Sequence, residues 1–395
     1  MTTFSRRAAL SAVPLATGLL AAPPAAAAGS STAVPAALRP GGAYDRYLAQ
    51  RAAEDRFSGT VLVARGGRPV LVRSYGMADQ EHGVPNRDDT IFNLASGAKP
   101  FTGLAVVQLA EQGKLRFHNK IGDHLDGFPA EVATRVSVHH LLTHTGGLTS
   151  ATSEGRIFTS VEERTEYLAR STRELSLRFV PGSDKAYSSE GYEILGEIVA
   201  TVSGQPFQDY VRQHIFEPAG MRDSAYCTRA DWLANVRIAH PYVYLQDGSR
   251  VDGVRDLSAG STVNGGFGSN AARAFVGSGG GGAFSTAPDL VRFALALRDG
   301  RLLGHAYRDL YTGGKISSPP MRGGAPRGET FQAYGPLVGL VEGQRIVNHG
   351  GGIAGGNTNW SIYLDTDWVA VILSNYDLPD FPDVIEQERQ ALLGY

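Results

Sequence analysis

A single cysteine, Cys227, in 395 residues leaves no partner for an intramolecular disulfide, so stability has to come from the core. The lack of a second cysteine and of a His-Glu-x-x-His helix argues against a metal enzyme. No serine carries glycine at both second positions, which removes the nucleophile elbow of an α/β-hydrolase. Charge of one sign is scarce as well: the formal net charge is -2, giving no field to draw nucleic acid or an anionic membrane. There is also no apolar run of the roughly 20 residues that a spanning helix needs. What is present is 42% hydrophobic and 19% charged residues, the balance of a globular chain with one large domain or two intimate ones. A small neutral or mixed substrate fits this composition, and no cofactor is expected.

The first residues read as an address. Arg6-Arg7 precede an apolar stretch from Leu10 to Ala22, and Ala26-Ala27-Ala28 offers a small-residue cleavage site before Gly29. This pattern resembles a twin-arginine export signal over residues 1–28, leading to an exported mature protein. Residues 29–42, rich in Ala, Pro and Gly, are expected to be a poorly ordered linker, and a single domain should occupy 43–395.

Within that domain, Thr60–Ala64 and Pro69–Val72 flank Arg65-Gly66-Gly67-Arg68, a hairpin pattern. Phe101–Gln112, Val161–Ser171 and Tyr192–Val202 carry apolar residues at mixed three and four spacing, as amphipathic helices do. Residues 243–282, rich in Gly, Ser and Asp, predict a long loop region. Trp360–Leu364 and Trp368–Leu373 predict two more strands around Asp365-Thr366-Asp367, and Pro382–Leu393 a closing helix. The expected fold is α+β, an antiparallel sheet built from both chain ends, flanked by helices, with a mainly helical lobe inserted between.

Three short segments carry candidate chemistry. Ser96 and Lys99 stand three residues apart at the start of a predicted helix, so both side chains share a face. A serine hydroxyl is a weak nucleophile until a base takes its proton, and a helix N-terminus offers N–H groups to an oxyanion. Tyr187-Ser188-Ser189 precede another helix, and a tyrosine beside a cationic lysine can serve as base. His349-Gly350-Gly351-Gly352 follow a short apolar run, where glycines let a strand edge approach a ligand. Each segment alone is matched by a bland alternative: a chance Ser/Lys spacing, a core tyrosine, a glycine turn with a surface histidine.

Together, in this order, they resemble the serine hydrolases comprising class C β-lactamases, D-stereospecific peptidases and related esterases. Phe92-Asn93-Leu94-Ala95-Ser96-Gly97-Ala98-Lys99 is similar to the nucleophile motif of that family. Leu141-Leu142-Thr143-His144-Thr145-Gly146-Gly147-Leu148 and Ile215–Met221 are similar to two further landmarks, and Gly281–Leu290 to a late helix start. The resemblance implies a β-lactamase/transpeptidase-like fold, Ser96 as nucleophile, Lys99 as its proton partner and Tyr187 as second base. It also implies substrate contacts from Ser189, His349, Gly351 and Gly352, with the N–H groups of Ser96 and Gly352 forming the oxyanion hole. His144 is expected to be structural.

Two departures bear on substrate. Ser189 stands where the family often has an asparagine that holds the acyl group, and His349 where many members have a lysine that assists with a carboxylate. A histidine with an ordinary pKa near 6.5 is largely neutral at pH 7. Both changes favour an ester or small amide over a β-lactam or a peptide carboxylate. Remaining alternatives are a D-peptidase, carboxypeptidase or β-lactamase, a transacylase, and a penicillin-recognising sensor without turnover. Gly277–Gly282 formally satisfies a dinucleotide fingerprint but lacks a βαβ context, and Cys227 has no motif around it.

Overall fold

The computed structural model describes residues 33–150, 155–263, 268–318 and 328–395, so the expected signal segment lies outside the described residues. The first helix, α1 (Ala43–Ala53), is followed by the hairpin β1 (Gly59–Arg65) and β2 (Arg68–Tyr75). Gly66 and Gly67 take positive φ at its turn, as the sequence predicts. Six further strands come from the C-terminal third: β3 (Ile316–Ser317), β4 (Glu329–Gln332), β5 (Leu337–Val341), β6 (Gln344–Ile353), β7 (Gly356–Tyr363) and β8 (Trp368–Ser374). They join in the order β2-β1-β8-β7-β6-β5-β4-β3, and β1 pairs antiparallel with β8, Gly59 opposite Ser374. The expected antiparallel sheet from the two chain ends is therefore what forms.

The strands are covered on both faces, which is why β1 and β8 read as nearly continuous apolar runs, and β7 is buried along its whole length although Asn357, Thr358, Asn359 and Ser361 are polar. Alternate residues serve alternate cores. Leu62, Ala64, Val369, Val371 and Leu373 enter the larger core, and Val61, Val63, Ala370 and Ile372 the smaller one. The larger core contains α2 (Lys99–Glu111), α4 (Ser189–Ser203) and α5 (Ala287–Arg298); α1 and the last helix α6 (Phe381–Leu393) close the smaller one. Between α2 and α5 lies the helical lobe, including α3 (Val161–Arg173).

Three expectations need correction. Helix α2 is not amphipathic: every residue from Lys99 to Ala110 is buried, so it runs through the core rather than along its surface. The described part of the 29–42 segment is built into the fold, because Ala36–Leu38 form a helical turn and Leu38 is fully buried. The 243–282 region is mostly irregular but holds a short ladder, Tyr242–Tyr244 against Arg250–Asp252, and a helical turn at Ala271–Ala274.

Candidate active site

Ser96 lies in a tight helical turn, Ala95–Ala98, that leads into α2. The residue before it, Ala95, has φ +51°, a left-handed conformation that costs a non-glycine residue about 1–2 kcal/mol. The surrounding structure holds it there. Asn93 Oδ1 accepts the Ala95 N–H at 2.8 Å, and the Ala95 carbonyl accepts Gly282 N–H at 2.9 Å. From β7, Thr358 Oγ1 donates to Leu94 O at 2.9 Å and the Trp360 indole to Gly97 O at 3.0 Å. The turn is thus clamped from both sides.

Lys99 and Tyr187 converge on Ser96. Lys99 Nζ donates to Ser96 Oγ at 3.0 Å, to Ser189 Oγ at 3.3 Å and to Gly280 O at 2.5 Å, and the residue is fully buried. The Tyr187 hydroxyl donates to Ser96 Oγ at 2.7 Å. Tyr187 remains 54% exposed, so part of its ring meets solvent while its oxygen belongs to the cluster. Burial opposes ionisation of this phenol, yet the Lys99 charge and the hydrogen bonds shared with Lys99, Ser96 and Ser189 outweigh it and bring its pKa below 10. Helix α4 places the pair Tyr187 and Ser189: Ser188 caps it, its Oγ accepting the Gly191 N–H at 3.0 Å.

The third segment is a strand rather than a glycine turn. β6 pairs with β7 as far as Ile353 opposite Gly356, whereas β5 pairs with it only up to Asn348. The edge of β6 from His349 onward is therefore free of β5. Gly351 lets that strand lie on the nucleophile turn: a Cβ there would sit 2.3 Å from Leu94 O and 2.8 Å from Gly97 N. Gly352 is exposed. His349 is buried and its Nδ1 lies 2.6 Å from Gly350 O. Burial first, and then the Lys99 charge, push its pKa down to about 4, so it is neutral at pH 7.

Sequence reasoning missed the fourth wall. The Gly277–Gly282 run packs between α4 and the nucleophile turn, and its Gly280 carbonyl receives Lys99. Glycine is required at these contacts: a Cβ on Gly281 would lie 2.6 Å from Ala95 O, and one on Gly279 2.4 Å from Tyr192 O. The fingerprint-like spacing was the available signal, and its meaning is close backbone packing. Ser96, Ser189, Gly280 and Gly282 line a cleft of about 380 Å³, ample for a small substrate. Cys227 also borders it, with a thiol pKa pushed up to about 12 by burial, too high for a nucleophile at neutral pH.

Away from this cleft, Asp79, His240 and Asp252 bring ligand-type atoms within 4.8 Å of one another. Arg255 already supplies the cation there, at 2.8 Å from Asp79 and 2.5 Å from Asp252. Among the described residues no helix is long and apolar enough to cross a membrane.

Comparison with known proteins identifies the family and the fold. Residues 44–395 match the Beta-lactamase family. Penicillin-binding protein 4* of Bacillus subtilis (strain 168) is 30% identical over 344 residues, covering 81% of this chain and 68% of its own. Esterase EstB of Burkholderia gladioli is 36% identical over 198 residues, 46% of this chain; the match spans 50% of that relative's length. Among solved structures, a penicillin binding protein from Bacillus halodurans aligns with a TM-score of 0.73 at 27% identity, over 88% of this chain and 99% of that one.

Proposed function

The chain belongs to the Beta-lactamase family of serine hydrolases, and on that premise we propose that it cleaves an ester or small amide through an acyl-enzyme on Ser96. The observation that carries this reading is the placement of one serine oxygen between Lys99 Nζ at 3.0 Å and the Tyr187 hydroxyl at 2.7 Å.

In the proposed cycle the Tyr187 phenolate, favoured by the Lys99 cation, takes the Ser96 proton as Oγ attacks the carbonyl carbon. The oxyanion is held by the N–H groups of Ser96 and Gly352. Collapse expels the alcohol or amine, which receives that proton back from Tyr187. Water then attacks the acyl-enzyme, giving its proton to Tyr187 and releasing the acid, and Ser96 recovers its hydrogen.

Substrate preference follows from two neighbours. The Ser189 hydroxyl is engaged by Lys99 and is too short to reach far over an acyl amide. Neutral His349 provides no cation for a substrate carboxylate. Both favour esters. EstB is named as an esterase, which supports the same preference. We also propose export of the mature enzyme by a twin-arginine route, on the strength of Arg6-Arg7 and the apolar stretch after them. Replacing both arginines by lysine should retain the protein inside the cell.

The deciding experiment is turnover of p-nitrophenyl butyrate by the mature protein beside a folded Ser96→Ala variant. A loss of roughly 10⁴-fold or more in the variant supports Ser96; equal rates remove it as nucleophile. A panel of esters, β-lactams and D-amino-acid amides, with and without alcohol acceptors, then separates esterase, β-lactamase, peptidase and transacylase.

A further inference from the structure

The cleft that begins at Ser96 contains an arginine that nothing in the catalytic cycle uses. Arg164, in the first turn of α3, lines it together with Glu193, Trp232 and Phe275. Its guanidinium carbon lies 4.9 Å from the centre of the buried Phe158 ring, and its Nε is buried without a hydrogen-bond partner. Among the described residues it has no ion pair. Arg156 is an internal contrast: it stacks on the same Phe158 ring but is neutralised by Glu163 at 2.8 Å.

Arg164 is half-buried, with Nε closed off from water, so a charged group is partly desolvated there with no anion to offset it. Stacking on an aromatic face holds its plane but satisfies none of its N–H donors. Those donors form a planar fork that matches a carboxylate better than any neutral group. Glu193, the acid among the cleft walls, accepts the Ser278 hydroxyl at 2.7 Å and makes no ion pair with Arg164.

The side of the substrate can also be assigned. Tyr187, which returns the proton to the departing oxygen or nitrogen, is not among the cleft walls. The leaving group departs on the Tyr187 side, so the cleft houses the part of the substrate that stays on Ser96. We propose that this cleft is an acyl-side subsite in which Arg164 selects acyl groups that end in a carboxylate. The proposal rests on Ser96 being the nucleophile. It adds a recognition element apart from His349, which is not among the walls of this cleft.

The test compares mono-p-nitrophenyl esters of adipic and pimelic acid with the neutral hexanoate and heptanoate esters, for the wild-type protein, Arg164→Gln and Arg164→Lys. The expected result is a charged-to-neutral ratio of kcat/KM of roughly ten or more in the wild type, the scale of one hydrogen bond to a charged group. That ratio should collapse in Arg164→Gln, recover partly in Arg164→Lys, and fall with added salt. Circular dichroism verifies that the variants fold. A wild-type ratio at or below one, or the same ratio in wild type and Arg164→Gln, overturns the subsite while leaving Ser96 untouched. Failure of the Ser96 reading shows separately, as turnover of the neutral esters that survives Ser96→Ala.

Discussion

The His144 imidazole packs against the Tyr187 ring with centroids 4.7 Å apart and planes 33° from parallel. Its Nδ1 accepts the Ser188 N–H at 3.2 Å and its carbonyl accepts the Ala186 N–H at 2.9 Å. One residue therefore holds the chain on both sides of the tyrosine. Burial, and then the Lys99 charge, push the His144 pKa well below its ordinary value; the ring stays neutral, with Nδ1 free to accept. In the proposed cycle His144 therefore acts through Tyr187, as a positioning residue. Its φ of +59° is tolerated by asparagine, which also keeps a side-chain acceptor at this position. His144→Asn should lower kcat by roughly 10- to 100-fold, as expected for a small misplacement of a catalytic group, with KM within about twofold. Steady-state kinetics on a neutral ester would measure both, and an unchanged kcat removes the positioning role.

Lys99 holds the Tyr187 phenol below its ordinary pKa against the opposing effect of burial. Removing that cation leaves burial in command, so the phenol rises and less of it is ionised at neutral pH. Lys99→Met should therefore lose activity most severely near pH 7 and recover part of it as pH increases. In Tyr187→Phe no such alkaline recovery is expected. A pH–kcat/KM profile for the two variants distinguishes these outcomes, and parallel profiles would contradict the assignment of Tyr187 as base.

His349, with a pKa pushed down to about 4, is protonated only below that pH. Profiles above pH 5 should carry no step that is lost on replacing His349 with Gln. His349→Lys should instead raise kcat/KM for a chromogenic cephalosporin relative to a neutral ester, by roughly tenfold if the new cation meets the β-lactam carboxylate. No change in that ratio would show that the carboxylate does not reach position 349.

Glu388 links pH to stability far from the site. Its carboxyl is buried in the smaller core, where Tyr363 donates to Oε1 at 2.6 Å and Oε2 has no partner. Desolvation raises its pKa from 4.5 to about 7. The folded state thus binds more protons than the unfolded state between those values. This contribution is full below pH 4.5 and declines as pH rises through 7, by roughly 3 kcal/mol in total. Glu388→Gln should remove the decline, making the variant the more stable protein at pH 8 relative to its difference at pH 4.5. Urea denaturation at the two pH values measures it, and identical pH dependence in both proteins would refute the burial argument.

The sequence by itself determined the elements whose periodicity is local. Gly66-Gly67 between two β-rich runs specifies the first hairpin, and the Trp360 and Trp368 runs specify the last two strands. Ser96 and Lys99 at helical spacing, Tyr187 before a capped helix and the His349 glycine run were legible because each is a short motif in a defined order. Chain neighbours alone could not reveal the burial of α2 on every face, since its apolar spacing also fits a surface helix. Nor could they show that the Gly277–Gly282 run is a wall of the site: that depends on Ala95 O, Tyr192 O and Lys99, brought there from other parts of the chain. Tertiary structure decided these points, together with the pKa values of Tyr187 and His349. The fields and desolvation that set them come from groups distant in sequence, and packing density allows a backbone as close as 281 is to 95 only where a side chain is absent.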